Sequence, residues 1–238
     1  MRALIMNSGI GRRMRELTND KPKCMAELRG EETILSRQLN ILKETGIMDV
    51  VMTTGYFDKI LVDYCASLHL DLRFIFVNNP LYASTNYIYS IYLAREHLDD
   101  DILSLHGDLV FEAEIVRKLL EQPKSCMTVS STLPLPPKDF KAVLQDGLVR
   151  KIGVEFFENA VAAQPFYSLK RSDWKLWLEE IARYCEEGRT EVYAENAFNE
   201  ISDVCRLYPL DVSDTLCAEV DTPEDLAMIK ERLNQPKA

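Results

Sequence analysis

Leu4-Ile5-Met6-Asn7-Ser8-Gly9-Ile10-Gly11-Arg12-Arg13-Met14, with Lys21-Pro22-Lys23 close behind, is an apolar run that enters a loop of small residues and leaves it on cations. Ala3–Met6 reads as a buried strand. Asn7, Ser8, Gly9 and Gly11, with Ile10 between the glycines, leave backbone N–H groups free to face phosphate oxygens. Arg12 and Arg13 add planar, permanently charged donors suited to a triphosphate. Lys23, stiffened by Pro22, is placed to set a point charge against an α-phosphate as charge builds there. A glycine pair alone says little, because a tight strand-to-helix turn with solvated arginines carries the same letters. No Gly-Lys-Ser/Thr closes the loop as in a Walker motif, and the third glycine of a dinucleotide fingerprint is absent.

Outward from this loop, short apolar runs alternate with helical spacing. Helices are expected over Ile34–Thr45, closed by Gly46, and over Phe57–Ser67, Asn86–His97 and Glu114–Leu120. Strands are expected over Val50–Thr54, Leu72–Val77 and Ile102–Leu105. The alternation predicts an α/β fold: a Rossmann-like three-layer sandwich around a mostly parallel, mixed sheet. Ligands then gather at the carboxyl ends of the strands, where Asn7–Arg13, Asn78–Asn86 and Gly107-Asp108 all fall.

Beyond residue 125 the pattern changes. Met127–Ser131 reads as a strand, Leu133–Pro137 as a connector, and Lys141–Leu144 with Leu148–Ile152 as a hairpin around Asp146-Gly147. Phe166–Leu169 returns to the sheet, Trp174–Cys185 and Glu195–Ile201 are helical, and Leu207–Leu210 is extended. Pro223–Leu233 is a last helix with Asp221 or Thr222 as its cap.

A chain of 238 residues is long enough for one sizeable core. A net charge of −10 argues against nucleic acid as a partner, since tracking a phosphate backbone needs a basic stripe. Six cysteines without metal-binding spacing suggest free thiols in a reducing cytoplasm. The first apolar run is too short for a signal peptide, and no stretch reaches membrane-spanning length, so no membrane partner is expected.

Two acidic positions complete the chemical pattern. Asp108 follows the strand Ile102–Leu105 directly, where a carboxylate can hold Mg²⁺. Glu219 and Asp221 alternate along an extended segment and share one face, so both can turn to the same ion. Asp221 alone has a competing reading as a helix cap. One domain over residues 1–238 is expected, with a nucleotide-binding half (1–125) and a substrate-facing half (126–238) that brings the second metal carboxylate.

Gly-x-Gly-x-Arg-Met followed by Lys-Pro-Lys resembles the signature of the nucleotidyltransferases with a sugar-nucleotide pyrophosphorylase fold, a GT-A-like architecture. Asn7-Ser8 stands here for the usual Ala-Ala, and Arg12 for the usual Ser or Thr. Lys23-Cys24-Met25, Asn79-Pro80-Leu81-Tyr82, Thr85-Asn86, Tyr89-Ser90 and Glu219-Val220-Asp221-Thr222 resemble, more narrowly, cytidylyltransferases acting on phosphocholine, 2-aminoethylphosphonate or phosphoglutamine. The resemblance implies Mg²⁺-dependent transfer of CMP from CTP to a small phosphorylated or phosphonate acceptor, with release of pyrophosphate; it leaves a homodimer open. It assigns Asp108 and Asp221 to the metal, with Glu219 beside them, and Lys23 and Arg13 to the phosphates. It places the base near Gly55, Asn79, Ser84, Thr85 and Asn86.

The acceptor itself is already anionic near neutral pH, because a phosphate loses its second proton at a pKa of about 6, so no dedicated base is required. Its pocket is expected from the second half, around Asp139, Phe140, Lys141, Gln164 and Tyr193, with Glu155, Tyr167 and Glu195 as the named candidates. Carboxylates beside aromatic rings suit a cationic amine; surface acids and core rings would give the same letters. Trp174 and Trp177 are expected to pack in the core, His69 and His97 to end helices, and His106 to tune its strand end. A hexose-1-phosphate nucleotidylyltransferase would share every phosphate and metal residue, and a non-catalytic nucleotide sensor or a glycosyltransferase of related fold are more remote alternatives.

Overall fold

The computed structural model describes residues 1–235. Strand β1 (Arg2–Met6) buries Ala3, Leu4 and Ile5 completely, as a strand covered on both faces must. A short ribbon follows, β2 (Glu27–Arg29) with β3 (Glu32–Thr33), and then α1 (Ile34–Glu44). Thr33 and Ser36 form a reciprocal capping box that starts α1. Next come β4 (Asp49–Thr54), α2 (Asp58–Ser67), β5 (Arg73–Asn78), α3 (Tyr87–Ala94), β6 (Ile102–His106), β7 (Leu109–Phe111) and α4 (Ala113–Glu121). The remainder consists of β8 (Cys126–Ser130), β9 (Lys141–Gln145), β10 (Leu148–Gly153), β11 (Ala160–Leu169), α5 (Arg171–Glu186), α6 (Ala194–Ile201), β12 (Tyr208–Asp211), β13 (Cys217–Glu219) and α7 (Pro223–Asn234).

Nine strands form one mixed sheet whose main path runs β10-β9-β11-β6-β1-β4-β5, while β8 joins β11 to β12. β1 is parallel to both β4 and β6, and β4 is parallel to β5, whereas β11 runs antiparallel to β6. One face is covered by α3, α5 and α6 through Ile88, Ile91, Trp174, Trp177 and Phe198, the other by α1, α2 and α4 through Leu35, Leu39, Leu61, Ile115 and Leu119. These are the three layers that the strand–helix alternation implies.

The elements agree closely with the sequence pattern, and the departures have local causes. The expected helix over Asn86–His97 ends as α3 at Ala94 and continues as a single 3₁₀ turn through His97. β11 begins at Ala160, earlier than Phe166, because its first residues pair with β9 and its last with β6. Thr222, not Asp221, caps α7: its hydroxyl accepts from the Asp225 N–H while the Asp225 carboxylate accepts from Thr222. That leaves the Asp221 side chain free of capping duty. The small antiparallel pair β7–β13 has no periodicity signal in the sequence, since each strand is only three residues long.

A third apolar cluster decides where the glycine loop sits. Met14, on the 3₁₀ turn Arg12–Thr18, is fully buried against Val110, Leu216, Val220, Leu226 and Ile229. Through Met14 the turn that carries Arg12 and Arg13 is docked on α7 and on the β7–β13 pair; β13 ends on Glu219, and Asp221 lies in the link from β13 to α7. Truncation of Met14 to Ala should therefore cost about 2–5 kcal/mol of unfolding free energy in urea titration, while Leu176→Ala at an exposed position should change it by no more than about 0.5 kcal/mol.

Candidate active site

The carboxyl ends of β1 and β6 lie side by side, with Met6 in register with His106. The Gly107 N–H donates to the Met6 carbonyl at 3.1 Å, which extends the pairing past both strands. A Cβ on Gly107 would fall 1.7 Å from Asn7 Oδ1, so a larger residue there would have to displace the Asn7 side chain. Gly55, at the end of β4, meets a harder limit, since a Cβ there would lie 2.3 Å from the Ser8 carbonyl oxygen. The loop is thus clamped between its neighbours and opens on one side, over a cavity of about 380 Å³.

Lys23 stands at the centre of the polar wall. Its Nζ contacts Asp108 Oδ2 and lies 2.9 Å from Asp221 Oδ1, and Arg13 Nη2 donates to the same Asp221 oxygen at 2.8 Å. Burial works against the Lys23 charge, but Asp108 and Asp221 outweigh it and hold the ammonium above its ordinary range. Burial likewise works against charge on Asp108, and Lys23 and His106 overcome it and hold the carboxyl below its usual value. The two aspartates that the sequence assigns to one cation meet around this ammonium.

His106 and Glu219 form a second pair, with Nδ1 and Oε1 2.8 Å apart. Burial would lower the imidazole pKa, yet the hydrogen bond and charge of Glu219, aided by Asp108, carry it up to about 9. Burial pushes the Glu219 carboxyl up, the His106 hydrogen bond opposes that shift, and the Asp108 charge adds to it. One ligand atom each from His106, Asp108 and Glu219 lies within 4.8 Å of the others. Asp108 Oδ1 and His106 Nε2 are buried without a hydrogen-bond partner among the described residues. A cluster of carboxylates with an orphaned inner oxygen suits a hard divalent cation.

Asn7, Ser8, Gly9, Gly11, Arg12, Arg13, Lys23, Asn79, Thr85, Asn86, Asp108, Glu219 and Asp221 all line the cavity. Ile10 and Gly55 do not, and Ser84 faces a shallow depression beside Glu191 instead. Asn79 is 1% exposed and its side chain is committed to the loop: Nδ2 donates to Thr85 Oγ1 and Ser90 Oγ, both at 3.0 Å, and Oδ1 accepts from the Leu81 N–H at 2.9 Å. Asn86 caps α3 by accepting from the Tyr87 N–H at 2.8 Å. Both asparagines shape the segment, and Tyr82 beside them lines the cavity.

The three named acceptor residues are not brought together in the cavity. Glu155 is exposed and outside the lining, although Val154 before it reaches the wall. Tyr167 and Glu195 are both 2% exposed and lie outside the lining. Tyr167 donates to Glu195 Oε1 at 2.8 Å, and Tyr87 donates to Glu195 Oε2. Burial, reinforced by Glu195, keeps both phenols protonated well above their ordinary range. Tyr87 itself lines the cavity and packs edge-on against His106 with ring centroids 5.0 Å apart. Sequence reasoning passed over Tyr87; its signal is the position immediately after the helix cap, where α3 starts beneath the strand ends. Phe140 and Tyr193 close the same wall, their rings 4.8 Å apart. Lys141 is fully buried behind them, donating to the carbonyls of Val154 at 2.8 Å and Pro137 at 3.3 Å.

As expected, Trp174 and Trp177 are core residues; their indole N–H groups donate to the carbonyls of Leu98 and Ala194. All six cysteines are free and buried. Among the described residues no helix is long and apolar enough to cross a membrane.

Comparison with known proteins finds relatives of this chain and solved structures of the same fold. CMP-5'-(3-aminopropyl)phosphonate synthase of Streptomyces rubellomurinus is 27% identical over 251 residues, a match covering 100% of this chain and 39% of that protein. CTP:phosphoglutamine cytidylyltransferase of Campylobacter jejuni is 28% identical over 160 residues, covering 64% of this chain and 62% of the relative. The chain thus spans only 39% and 62% of the lengths of these curated relatives. Among solved structures, CTP:phosphocholine cytidylyltransferase from Streptococcus pneumoniae superposes with a TM-score of 0.80 at 21% identity, covering 98% of this chain and 99% of that one, which shows the shared fold. The sequence profile of the MobA-like NTP transferase domain matches residues 3–136, and the chain belongs to that family.

Proposed function

We propose that this protein transfers CMP from CTP to a small phosphorylated or phosphonate metabolite and releases pyrophosphate. The observation that carries the reading is the meeting of Asp108, Asp221, Lys23 and Arg13 on one wall of a cavity whose rim is the Asn7–Gly11 loop. The names of the relatives support cytidine over other nucleosides. In this reading residues 1–125 hold the nucleotide and residues 126–238 the acceptor, with Glu219 and Asp221 reaching back to the phosphates.

The chemistry asks for charge neutralisation and alignment, since two anions must approach each other. The loop amides and Arg12 hold the β- and γ-phosphates, Lys23 faces the α-phosphate, and Arg13 bridges the triphosphate to Asp221. An acceptor oxygen that is already anionic attacks the α-phosphorus in line, forming a new P–O bond as the bond to pyrophosphate breaks. No side chain has to remove a proton. Asp108, Glu219 and Asp221 would hold Mg²⁺, which supplies further positive charge to the reacting oxygens. Six buried thiols suit a reducing cytoplasm.

Pyrophosphate release should be screened with CTP and UTP against phosphocholine, aminoethylphosphonate, phosphoglutamine and hexose 1-phosphates. Turnover with CTP and an amine-bearing acceptor is expected; turnover with UTP and a hexose phosphate alone would replace this reading by sugar-nucleotide synthesis. Lys23→Ala is expected to lower kcat about 10²–10³-fold, the size of losing one preorganised charge donor, with the far-UV circular dichroism retained; an unchanged rate would remove Lys23 from the chemistry. Stripping divalent ions with EDTA should abolish turnover, and added Mg²⁺ should restore it.

A further inference from the structure

The wall that carries Asp108 and Glu219 contains a group that a purely oxygen-based magnesium site has no use for. His106 ends β6, and one of its ring nitrogens lies within 4.8 Å of a carboxylate oxygen of Asp108 and one of Glu219. Nδ1 is tied to Glu219 at 2.8 Å, while Nε2 is buried with no partner among the described residues. Asp108 Oδ1, equally buried, is unpartnered as well. A buried ring nitrogen and a buried carboxylate oxygen left unsatisfied in one cluster each lose the hydrogen bond they had in water, unless something bound there replaces it.

The ring is firmly oriented. The hydrogen bond to Glu219 fixes one edge, and the Tyr87 ring, itself held by Glu195, packs edge-on against it at 5.0 Å. A carboxylate that holds one imidazole nitrogen while the other is offered to a cation is a recurrent arrangement in metal sites, and it makes the imidazole a better ligand. A divalent cation in this corner would also take over the neutralisation of Asp108 and Asp221 that Lys23 provides.

We propose that His106 contributes its free ring nitrogen as a ligand beside Asp108, with Glu219 holding the other edge of the ring, so that the site binds a first-row transition cation such as Mn²⁺ more tightly than Mg²⁺. Carboxylate and water suit Mg²⁺ and Mn²⁺ alike, and an added imidazole tips the balance towards the transition ion, because Mg²⁺ keeps to oxygen ligands. The inference rests on the same metal corner as the proposed function but concerns the ligand set, and it can be read without any turnover.

The test is Mn²⁺ electron spin-echo spectroscopy of the full chain, with Mn²⁺ alone and again with CTP. Modulation from a directly coordinated imidazole ¹⁴N is expected in the wild type and absent in His106→Gln. Titration followed by the free Mn²⁺ signal should show Mn²⁺ held at least tenfold more tightly than competing Mg²⁺. In His106→Gln, Mn²⁺ affinity should fall about 10–100-fold, the range typical of disturbed metal-site ligation, and the preference over Mg²⁺ should shrink. Absence of nitrogen modulation in the wild type under both conditions, or an unchanged metal preference in the variant, overturns the proposal. The wild-type spectrum decides even if the variant folds poorly. Nitrogen coordination with no pyrophosphate release from any acceptor would sink the cytidylyltransferase reading and leave this one standing.

Discussion

The ammonium of Lys23 is the point on which the site depends. Asp108 arrives from the end of β6 and Asp221 from the entry to α7, and both would repel each other in a part-buried corner without a cation between them. Lys23 and Arg13 supply that cation from the loop that follows β1. The rest of the architecture serves to bring these segments together: the parallel pairing of β1 with β6, the packing of Met14 on α7, and the antiparallel β7–β13 ribbon. Breaking any one would separate the charges, and a separated carboxylate at this depth loses the partner that offsets its desolvation.

On the proposed function the same ammonium stands where an incoming nucleotide would need positive charge. With a triphosphate bound, Lys23 would exchange its carboxylate partners for phosphate oxygens, and Asp108 and Asp221 would then be free to hold a divalent ion. The cost of drawing Lys23 away from its aspartates is thereby small, because each group leaves one charge-assisted contact for another. The wall opposite is built differently. Phe140, Tyr193 and Tyr87 present rings, and what holds them is buried polar bonding: Glu195 on the phenol of Tyr87, and Lys141 on the carbonyls of the two loops beside them. One end of the cavity handles charge and the other shape.

Much of this was legible in the sequence because it rests on local signals. The alternation of apolar runs with helical spacing gave the layers, and Gly11, Gly107 and the Lys-Pro-Lys run gave the loop. The two aspartates were legible because each stands at the end of an apolar strand or before a capped helix. What escaped depends on tertiary pairing. Tyr167 and Glu195 carry the letters of a binding pocket, yet bond to each other beneath the surface, and a string of letters does not tell a carboxyl that faces a cavity from one that faces two phenols. Asn79 reads as a base contact until its amide is found folding its own loop. Tyr87 was missed because a tyrosine after a helix cap is ordinary, and only the meeting of α3 with the end of β6 makes it a wall of the site. The competition between Asp221 and Thr222 for the cap was open for the same reason; a hydroxyl that reaches the Asp225 N–H settles it and frees Asp221 for the cations.

The chain is acidic overall, while the cavity wall carries cations among its carboxylates, and the contrast narrows what can bind. The chain carries −10 in sum, yet Arg12, Arg13 and Lys23 stand together at one rim of one cavity. An extended polyanion would meet the acidic surface over most of its length and gain little from three cations at a single spot. A small anion avoids that repulsion, since charge beyond about 8–10 Å is largely screened at physiological salt, and it would draw on Arg12, Arg13 and Lys23 once a cation offsets Asp108 and Asp221. Selection for a compact, highly charged ligand over a long one therefore follows from where the cations sit, and it requires no contact that recognises the ligand's length.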